Sequence, residues 1–261
     1  MSIHIYKSCI KQRTALQEFP TARLKYAVCG LAILALFTRT TQADAIDGDG
    51  ALSATFGITS DYVFRGVSQT MGQVALQGSI DAEFESGFYA SAWGSTVDFV
   101  ADGEPDDGAD LELDIAIGFE TAIDDRWTVD LMYVQYLFPG ANTELDYDYG
   151  EMLGTVTWQE FLCATIGYSN DVFGSGADGW VYQLGTEVDI FANLKVSTFY
   201  GYYDLHTAYD ASYSYLEVGV SRELGFLSVG LSYHNTWGAV DELFYEETTG
   251  SRIALSLEIK H

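Results

Sequence analysis

The sequence predicts an all-β protein, a transmembrane antiparallel up-and-down β-barrel of about 12 strands that follows a cleaved signal peptide. Three observations predict this fold. Apolar and polar residues alternate over about a dozen segments, most of these segments are 9–13 residues long, and the connections between them are alternately short and long. A tilted strand that crosses a bilayer needs about 9–11 residues.

The first 43 residues have the composition of an export signal. They contain six of the 12 basic residues but only one of the 38 acidic residues, Glu18. The apolar run 26–37 is too short for a spanning helix, which needs about 20 residues. The small residues Thr41 and Ala43 stand where a signal peptidase cleaves. We therefore predict a signal peptide over 1–43, cleaved near Ala43, and a barrel domain over 44–261. A buried N-terminal helix is the alternative.

Charge and composition exclude two classes of protein. The whole chain has a formal net charge of −26, and the loss of 1–43 would make it −31. Such an acidic chain does not suit nucleic-acid phosphates, which need clustered Lys and Arg. With 48% hydrophobic and 15% aromatic residues it is also not a disordered acidic tail. Cys163 would be the remaining cysteine, and the pattern indicates no role for it.

The alternation is clearest in the segment 110–121. Leu111, Leu113 and Ile115 share one face, and Glu112 and Asp114 share the other. Period-two alternation is typical of a β-strand with one apolar and one polar face. By this pattern the predicted strands are 52–65, 73–84, 88–98, 110–121, 127–137, 149–158, 161–169, 180–190, 194–204, 212–222, 226–235 and 250–261.

The connections between these strands sort into two sets. Those after 84, 121, 158, 190 and 222 are short, and those after 65, 98, 137, 169, 204 and 235 are longer. This alternation is typical of outer-membrane barrels with short periplasmic turns and longer external loops. An even strand number also leaves both ends of the barrel on the periplasmic side.

Aromatic residues predicted on the outer face gather at the two strand ends, as expected at membrane interfaces. Those beside short turns are Phe84, Phe119, Trp127 and Trp158; those toward the long loops are Tyr62, Phe64, Tyr133, Tyr168, Trp180, Tyr182, Tyr200, Tyr202 and Tyr233. A soluble β-sandwich also has alternating strands, but it does not predict two aromatic bands or uniformly long strands.

The first half of the barrel domain resembles the TorF family of porins, the proteobacterial Gcw_chp family. The similarity lies in the block 59–70 (TSDYVFRGVSQT), in 75–81 (ALQGSID) and in 85–93 (ESGFYASAW), and it extends through about residue 151. The resemblance implies an outer-membrane barrel of the porin type, which the barrel assembly machinery would insert. It implies no particular substrate and no active site.

The polar face of the strands would line the lumen. Acids in this phase are Asp61, Asp81, Glu83, Asp110, Glu112, Asp114, Glu120, Asp130, Glu151, Glu187, Asp189, Glu217 and Glu258. The bases in this phase are Arg65, Lys195, Arg252 and Lys260. An acidic lumen concentrates cations and repels anions. The alternative is that these acids pair with the few bases or only hydrate a narrow lumen; Arg65 is expected to pair with Asp61 or Asp81 near the external mouth.

These patterns predict a porin-like outer-membrane channel for the passive diffusion of small hydrophilic solutes. It would prefer cations, contact outer-membrane lipid and need no cofactor. The alternative is a plugged barrel with a structural role or a role in binding surface ligands or divalent ions. The loop 102–108 carries oxygen ligands but lacks the EF-hand spacing, which favours a solvated acidic loop. His234 lies near serines, but the sequence has no GxSxG or HExxH motif, so we expect no catalysis.

The predicted cation preference follows from the excess of acids on the lumen face, and the oligomeric state does not follow from the sequence. A third hypothesis, a lipid-modifying barrel enzyme, would need a histidine on the lipid face, whereas His234 is in the lumen phase.

Overall fold

The computed structural model describes residues 50–101, 103–142, 147–191 and 193–260, so the predicted signal peptide lies outside the described residues. The strands are β1 (Gly50–Thr59), β2 (Val63–Phe64), β3 (Val67–Ser68), β4 (Ala75–Phe84), β5 (Phe88–Thr96), β6 (Leu111–Ala122), β7 (Trp127–Leu137), β8 (Tyr149–Trp158), β9 (Leu162–Ser169), β10 (Gly179–Phe191), β11 (Leu194–Leu205), β12 (Ala211–Leu224), β13 (Leu227–Gly238) and β14 (Arg252–Lys260). One short helix, α1 (His206–Tyr209), joins β11 to β12.

Twelve of these strands form one closed antiparallel barrel, in the order β1-β4-β5-β6-β7-β8-β9-β10-β11-β12-β13-β14 and back to β1. Each barrel strand pairs with the next one along the chain, and β14 closes the ring on β1, where Gly57 lies opposite Glu258. The predicted fold class and strand number are confirmed. β2 and β3 form a separate two-stranded ribbon outside this ring.

The strands form because every second side chain is apolar and can contact lipid on the outside of the barrel. Along β6, Leu113, Ile115 and Ile117 are exposed while Glu112 and Asp114 are buried. Comparable exposed apolar residues surround the barrel; Leu131 is 56% exposed and Leu184 is 58% exposed. A continuous apolar outer surface of this kind is stable in a bilayer and not in water.

In the described part of the chain, no helix has the length and apolar character needed to cross a membrane.

The short connections lie at one end of the barrel and join their strands through two to four residues. Gly87, between β4 and β5, has φ +94°, and a Cβ atom there would come within 2.3 Å of the carbonyl oxygen of Glu120. Only glycine fits this turn without a shift of the neighbouring strand. Both ends of the barrel, Gly50 and Lys260, lie on this same side.

Aromatic side chains lie at both rims of the outer surface. At the short-turn rim, Trp127 pairs across strands with Trp158, their ring centroids 6.5 Å apart. At the opposite rim, Trp180 stacks near Tyr182. The predicted outward position is wrong for Tyr62 and Phe64, because the chain leaves the barrel wall before it reaches them.

The first predicted strand, 52–65, is six residues too long at its C-terminal end. β1 ends at Thr59, and residues 60–74 turn into the barrel, carrying the β2–β3 ribbon with them. We call residues 60–74 the plug. Tyr62 and Val67 in this segment are completely or almost completely buried.

Candidate functional site

The interior of the barrel collects the charged residues of the polar strand faces. Cross-strand pairing places Glu112 opposite Ser95, Glu120 opposite Asp130 and Glu217 opposite Phe199 on the inward side. The inward acids of the barrel wall are Asp81, Glu83, Glu112, Asp114, Glu120, Asp130, Glu151, Glu187, Asp189, Glu217 and Glu258. The inward bases are Lys195, Arg252 and Lys260.

Two predicted interior residues come from the plug and not from the wall. Asp61 and Arg65 lie in the inward-folded segment, and both are buried. Asp110 precedes β6 at the rim and is exposed. The charged interior is therefore built by two elements, the barrel wall and the plug.

Five inward tyrosines fill the half of the lumen next to the long loops, which we call the external half. They come from β7, β8, β11 and β12, and each is almost fully buried; they are Tyr136, Tyr149, Tyr203, Tyr213 and Tyr215. Their rings contact one another, as in the stack of Tyr136 on Tyr149 at 4.5 Å. Large side chains at this level narrow the lumen before the plug is added.

Arg65 is the centre of the plug. It adopts a left-handed conformation with φ +49°, and its Nη2 donates a 2.6 Å hydrogen bond to Oε2 of Glu151 on β8. The guanidinium also lies 4.5 Å from the ring centroid of Tyr203 and 4.7 Å from that of Phe64. Arg65 is 4% exposed and Glu151 is 1% exposed, so this ion pair is shielded from water.

A second ion pair holds the plug at its base. Nη1 of Arg252, on β14, donates to Oδ2 of Asp61 at 2.6 Å. The other oxygen of Asp61 accepts a 2.6 Å hydrogen bond from the hydroxyl of Ser68. The expected pairing of Arg65 with Asp61 or Asp81 is wrong, since the inward turn after Thr59 carries Arg65 across the lumen to β8 and leaves Asp61 beside β14.

Close packing completes the contact between the plug and the wall. Tyr62 meets the edge of Trp93 at 5.3 Å, and Phe64 meets Tyr136 at 6.0 Å. A Cβ atom on Gly66, which has φ +83°, would lie 2.5 Å from Cγ2 of Thr236. The tip of the plug therefore tolerates no added side-chain atom.

A small cavity lies beside Arg65, below the tip of the plug. Its volume is about 10 Å³, which is room for about one water molecule. It is lined by Phe64, Arg65, Leu153, Thr165, Val181, Gln183 and Tyr215. In this conformation the cavity is too small for a solute larger than water.

The half of the lumen next to the short turns, which we call the periplasmic half, has a different lining. Lys195 donates to Glu187 at 3.2 Å, and each side chain is 24% exposed. Asp130 accepts a hydrogen bond from the Tyr89 hydroxyl. Many inward positions at this level hold small residues, including Ser53, Ser91, Gly118, Gly219, Ser221, Ser228, Gly230 and Ser256.

Ser232, His234 and Glu217 form a group that resembles part of a hydrolytic triad. Nε2 of His234 lies 2.8 Å from the Ser232 hydroxyl, but Nδ1 of His234 lies 3.8 Å from Oε2 of Glu217. The second distance is too long for the hydrogen bond that orients the base in such a triad. The strand amides around Ser232 are committed to the sheet ladder, so they do not offer an oxyanion site.

The acidic external loop uses its carboxylates within the protein. Asp106 accepts a hydrogen bond from the amide of Gly108, and Asp107 accepts one from the hydroxyl of Tyr147 at 3.1 Å. Partial burial and the Asp107 carboxylate raise the pKa of Tyr147 to about 12. Asp102, in the same loop 102–108, lies outside the described residues. Over the described ranges, no group of three or more His, Cys, Asp or Glu side chains is arranged to hold a metal ion.

Sequence reasoning missed the plug and the tyrosine layer. One signal for the plug is the run Tyr62-Val63-Phe64, three consecutive apolar residues that break the alternation of the first strand. The tyrosines have a signal too, since Tyr213 and Tyr215 share the phase of Glu217. An inward-facing aromatic pair next to a lumen acid indicates a filled lumen at that level.

Comparison with solved structures finds outer-membrane barrels. The KdgM porin in complex with disordered oligogalacturonate has a TM-score of 0.49 at 7% identity, covering 80% of this chain and 97% of that chain. The NanC porin has a TM-score of 0.49 at 11% identity, covering 80% and 98%. LpxR from Salmonella typhimurium has a TM-score of 0.44 at 7% identity, covering 80% and 99%. Likenesses of this strength carry no functional argument.

The sequence itself gives the family. No curated protein matches the chain. A family model described as bacterial protein of unknown function (Gcw_chp) matches residues 43–255, which include the plug and all but the end of the last strand. The chain therefore belongs to the Gcw_chp family.

Proposed function

We propose that this protein is a porin-like channel of the bacterial outer membrane, through which small hydrophilic solutes pass by diffusion. The observation that supports the proposal best is the opposition of the two barrel surfaces. The outer surface is apolar around the whole ring, and the inner surface is polar and charged. A barrel whose only role was to sit in the membrane would need no charged interior.

The proposal includes a preference for cations. The interior of the wall has eleven acidic and three basic residues, and the plug adds one acid and one base. Excess negative charge inside a low-dielectric wall raises the local concentration of cations. The same effect selects cations in pores lined by acidic rings.

Planar-bilayer recording tests the channel and its selectivity together. Protein purified from outer membranes of cells that express the full chain should give unitary currents. In a salt gradient the reversal potential should have the sign of cation permeation. A well-folded preparation that never conducts, with residues 63–68 present and with them deleted, would contradict the channel.

The charge of Glu187 tests the origin of the selectivity. Glu187→Lys reverses one charge in the partly exposed periplasmic half and should lower the cation-to-anion permeability ratio by roughly twofold. Glu104→Lys makes the same change on an exposed external loop and serves as the control, with little effect expected. Equal effects of the two variants would contradict an origin in the lumen.

A second candidate function is a closed barrel with a structural or surface-binding role. The plug, the tyrosine layer and the cavity of about 10 Å³ favour it. Silence in bilayers, together with a calcium-dependent rise in the melting temperature, would support this second candidate. For either function we propose outer-membrane lipid as the surroundings and assembly by the barrel assembly machinery after signal cleavage.

A further inference from the structure

We propose that the plug is a displaceable gate, and that the ion pairs Arg65–Glu151 and Arg252–Asp61 are the latch that keeps it closed. The inference rests on the proposed channel function and adds its regulation. It starts from the small size of the cavity beside Arg65, whose volume of about 10 Å³ holds about one water molecule.

The plug spans the lumen instead of lying along the wall. It leaves the barrel after β1, and Arg65 reaches Glu151 on β8, which is seven strands from β1 around the ring in one direction and five in the other. This is close to the full diameter of a 12-stranded barrel. Displacement of the plug tip therefore opens the centre of the lumen and not only its margin.

The plug is attached to the barrel by few strong contacts. Its ribbon of β2 and β3 pairs with itself and not with a wall strand. Outside that ribbon, the amide of Ser60 donates to the carbonyl oxygen of Leu255 on β14 at 2.9 Å, and a bridge joins Thr70 to Asp98 near the rim. Movement of the tip thus breaks no barrel ladder, and the twelve-stranded ring can stay closed while the plug moves.

The two ion pairs attach the plug to the wall at its base, through Asp61, and at its centre, through Arg65. Each has a 2.6 Å contact, and one partner of each is on the plug while the other is on the wall. Removal of one member of a buried pair is strongly unfavourable, because the other charge stays buried without a counter-ion. In this protein, displacement of the plug would move Arg65 into water, so that its charge would not stay buried without a counter-ion.

The test is Glu151→Gln, with Glu187→Gln as the matched control. Both changes remove an interior carboxylate that pairs with a base, but Glu187 pairs with Lys195 on a neighbouring strand and not with the plug. We expect Glu151→Gln to raise the open probability in planar bilayers on the order of tenfold or more. Glu187→Gln should lower the cation-to-anion permeability ratio, since it removes a lumen charge, but it should leave the open probability as in the wild type.

A second variant keeps the test independent of the folding of Glu151→Gln. Deletion of residues 63–68 with a two-glycine replacement removes the ribbon and Arg65 together, and it should give a permanently conducting barrel. Hydrogen exchange supplies a second readout: in Glu151→Gln the amides of 61–70 should exchange faster while those of β6 and β7 stay protected.

The outcomes separate the gate from the channel. Wild-type currents that Glu151→Gln and the deletion leave unchanged would overturn the gate but not the channel. Silence of the wild type and of a well-folded deletion variant would overturn both. Silence of the wild type with currents from the deletion variant would support the gate.

Discussion

The two halves of the barrel interior use charge differently. In the external half, Arg65 and Glu151 form a shielded pair among tyrosines. In the periplasmic half, Lys195 and Glu187 form a longer pair, and each is 24% exposed, among many small residues. A buried pair depends on both partners, whereas a hydrated pair does not. The ion pair of the external half therefore stabilises one conformation of the plug and wall. The charges of the periplasmic half remain accessible to water.

The largest expected difference comes from breaking one pair in each half. Asp61→Asn should lower the opening free energy of the plug by about 3–5 kcal/mol, since it leaves Arg252 without its counter-ion. Glu187→Gln should change stability by no more than about 1 kcal/mol, because water screens its pair. Hydrogen exchange of the plug amides and urea unfolding in detergent micelles measure the two effects. Equal losses of free energy in the two variants would contradict the view that the two halves of the lumen depend differently on their ion pairs.

Substitution of two separate glycines of the plug should have an intermediate effect on the free energy of unfolding. Gly66→Ala introduces a Cβ atom 2.5 Å from Thr236 and 2.8 Å from Tyr215, and we expect a loss of about 2–4 kcal/mol from overpacking and the left-handed backbone. Gly72→Ala has the same backbone demand, φ +73°, but no atom within 4 Å of the new Cβ. It should cost only about 1–2 kcal/mol. The difference between the two variants in urea unfolding isolates the packing of the plug tip.

The smallest expected effect is at the external loops, outside the lumen. Tyr147→Phe removes the hydrogen bond to Asp107 and should cost about 1 kcal/mol. Because the pKa of Tyr147 is raised to about 12 in the folded protein, its contribution is complete below about pH 10. It is lost as the pH rises toward 12. The stability difference between wild type and variant should therefore shrink between pH 10 and 12; a constant difference would contradict this assignment.

The barrel wall could be predicted from sequence because it depends on local alternation. The bounds of β7 (Trp127–Leu137) and β8 (Tyr149–Trp158) match the predicted ranges, since each has a regular apolar outer face and clear turn residues at its ends. Lipid outside and a polar lumen inside impose the same rule on every strand. One property of the sequence therefore determines twelve elements.

The plug could not be predicted in the same way, because its partners are distant in sequence. Arg65 is in phase with the lumen residues of β1, so alternation alone extends the strand through it. Its true partner, Glu151, is 86 residues away, and no local pattern links the two. Eleven of the predicted acids lie on the inward face of the wall, Asp61 lies in the plug and Asp110 lies exposed at the rim; the role of these acids in selectivity stays a prediction.

The long-range contacts of the plug also bear on the order of assembly. Asp61 is 191 residues from Arg252, and β14 is the last strand to be made and the one that closes the ring on β1. Contacts between such distant residues form late, because the chain entropy of the intervening loop opposes them. Asp61 at the base of the plug therefore has no ion-pair partner until β14 arrives, whereas Arg65 can meet Glu151 on β8 before that. Closure of the ring then completes the attachment of the plug to the wall.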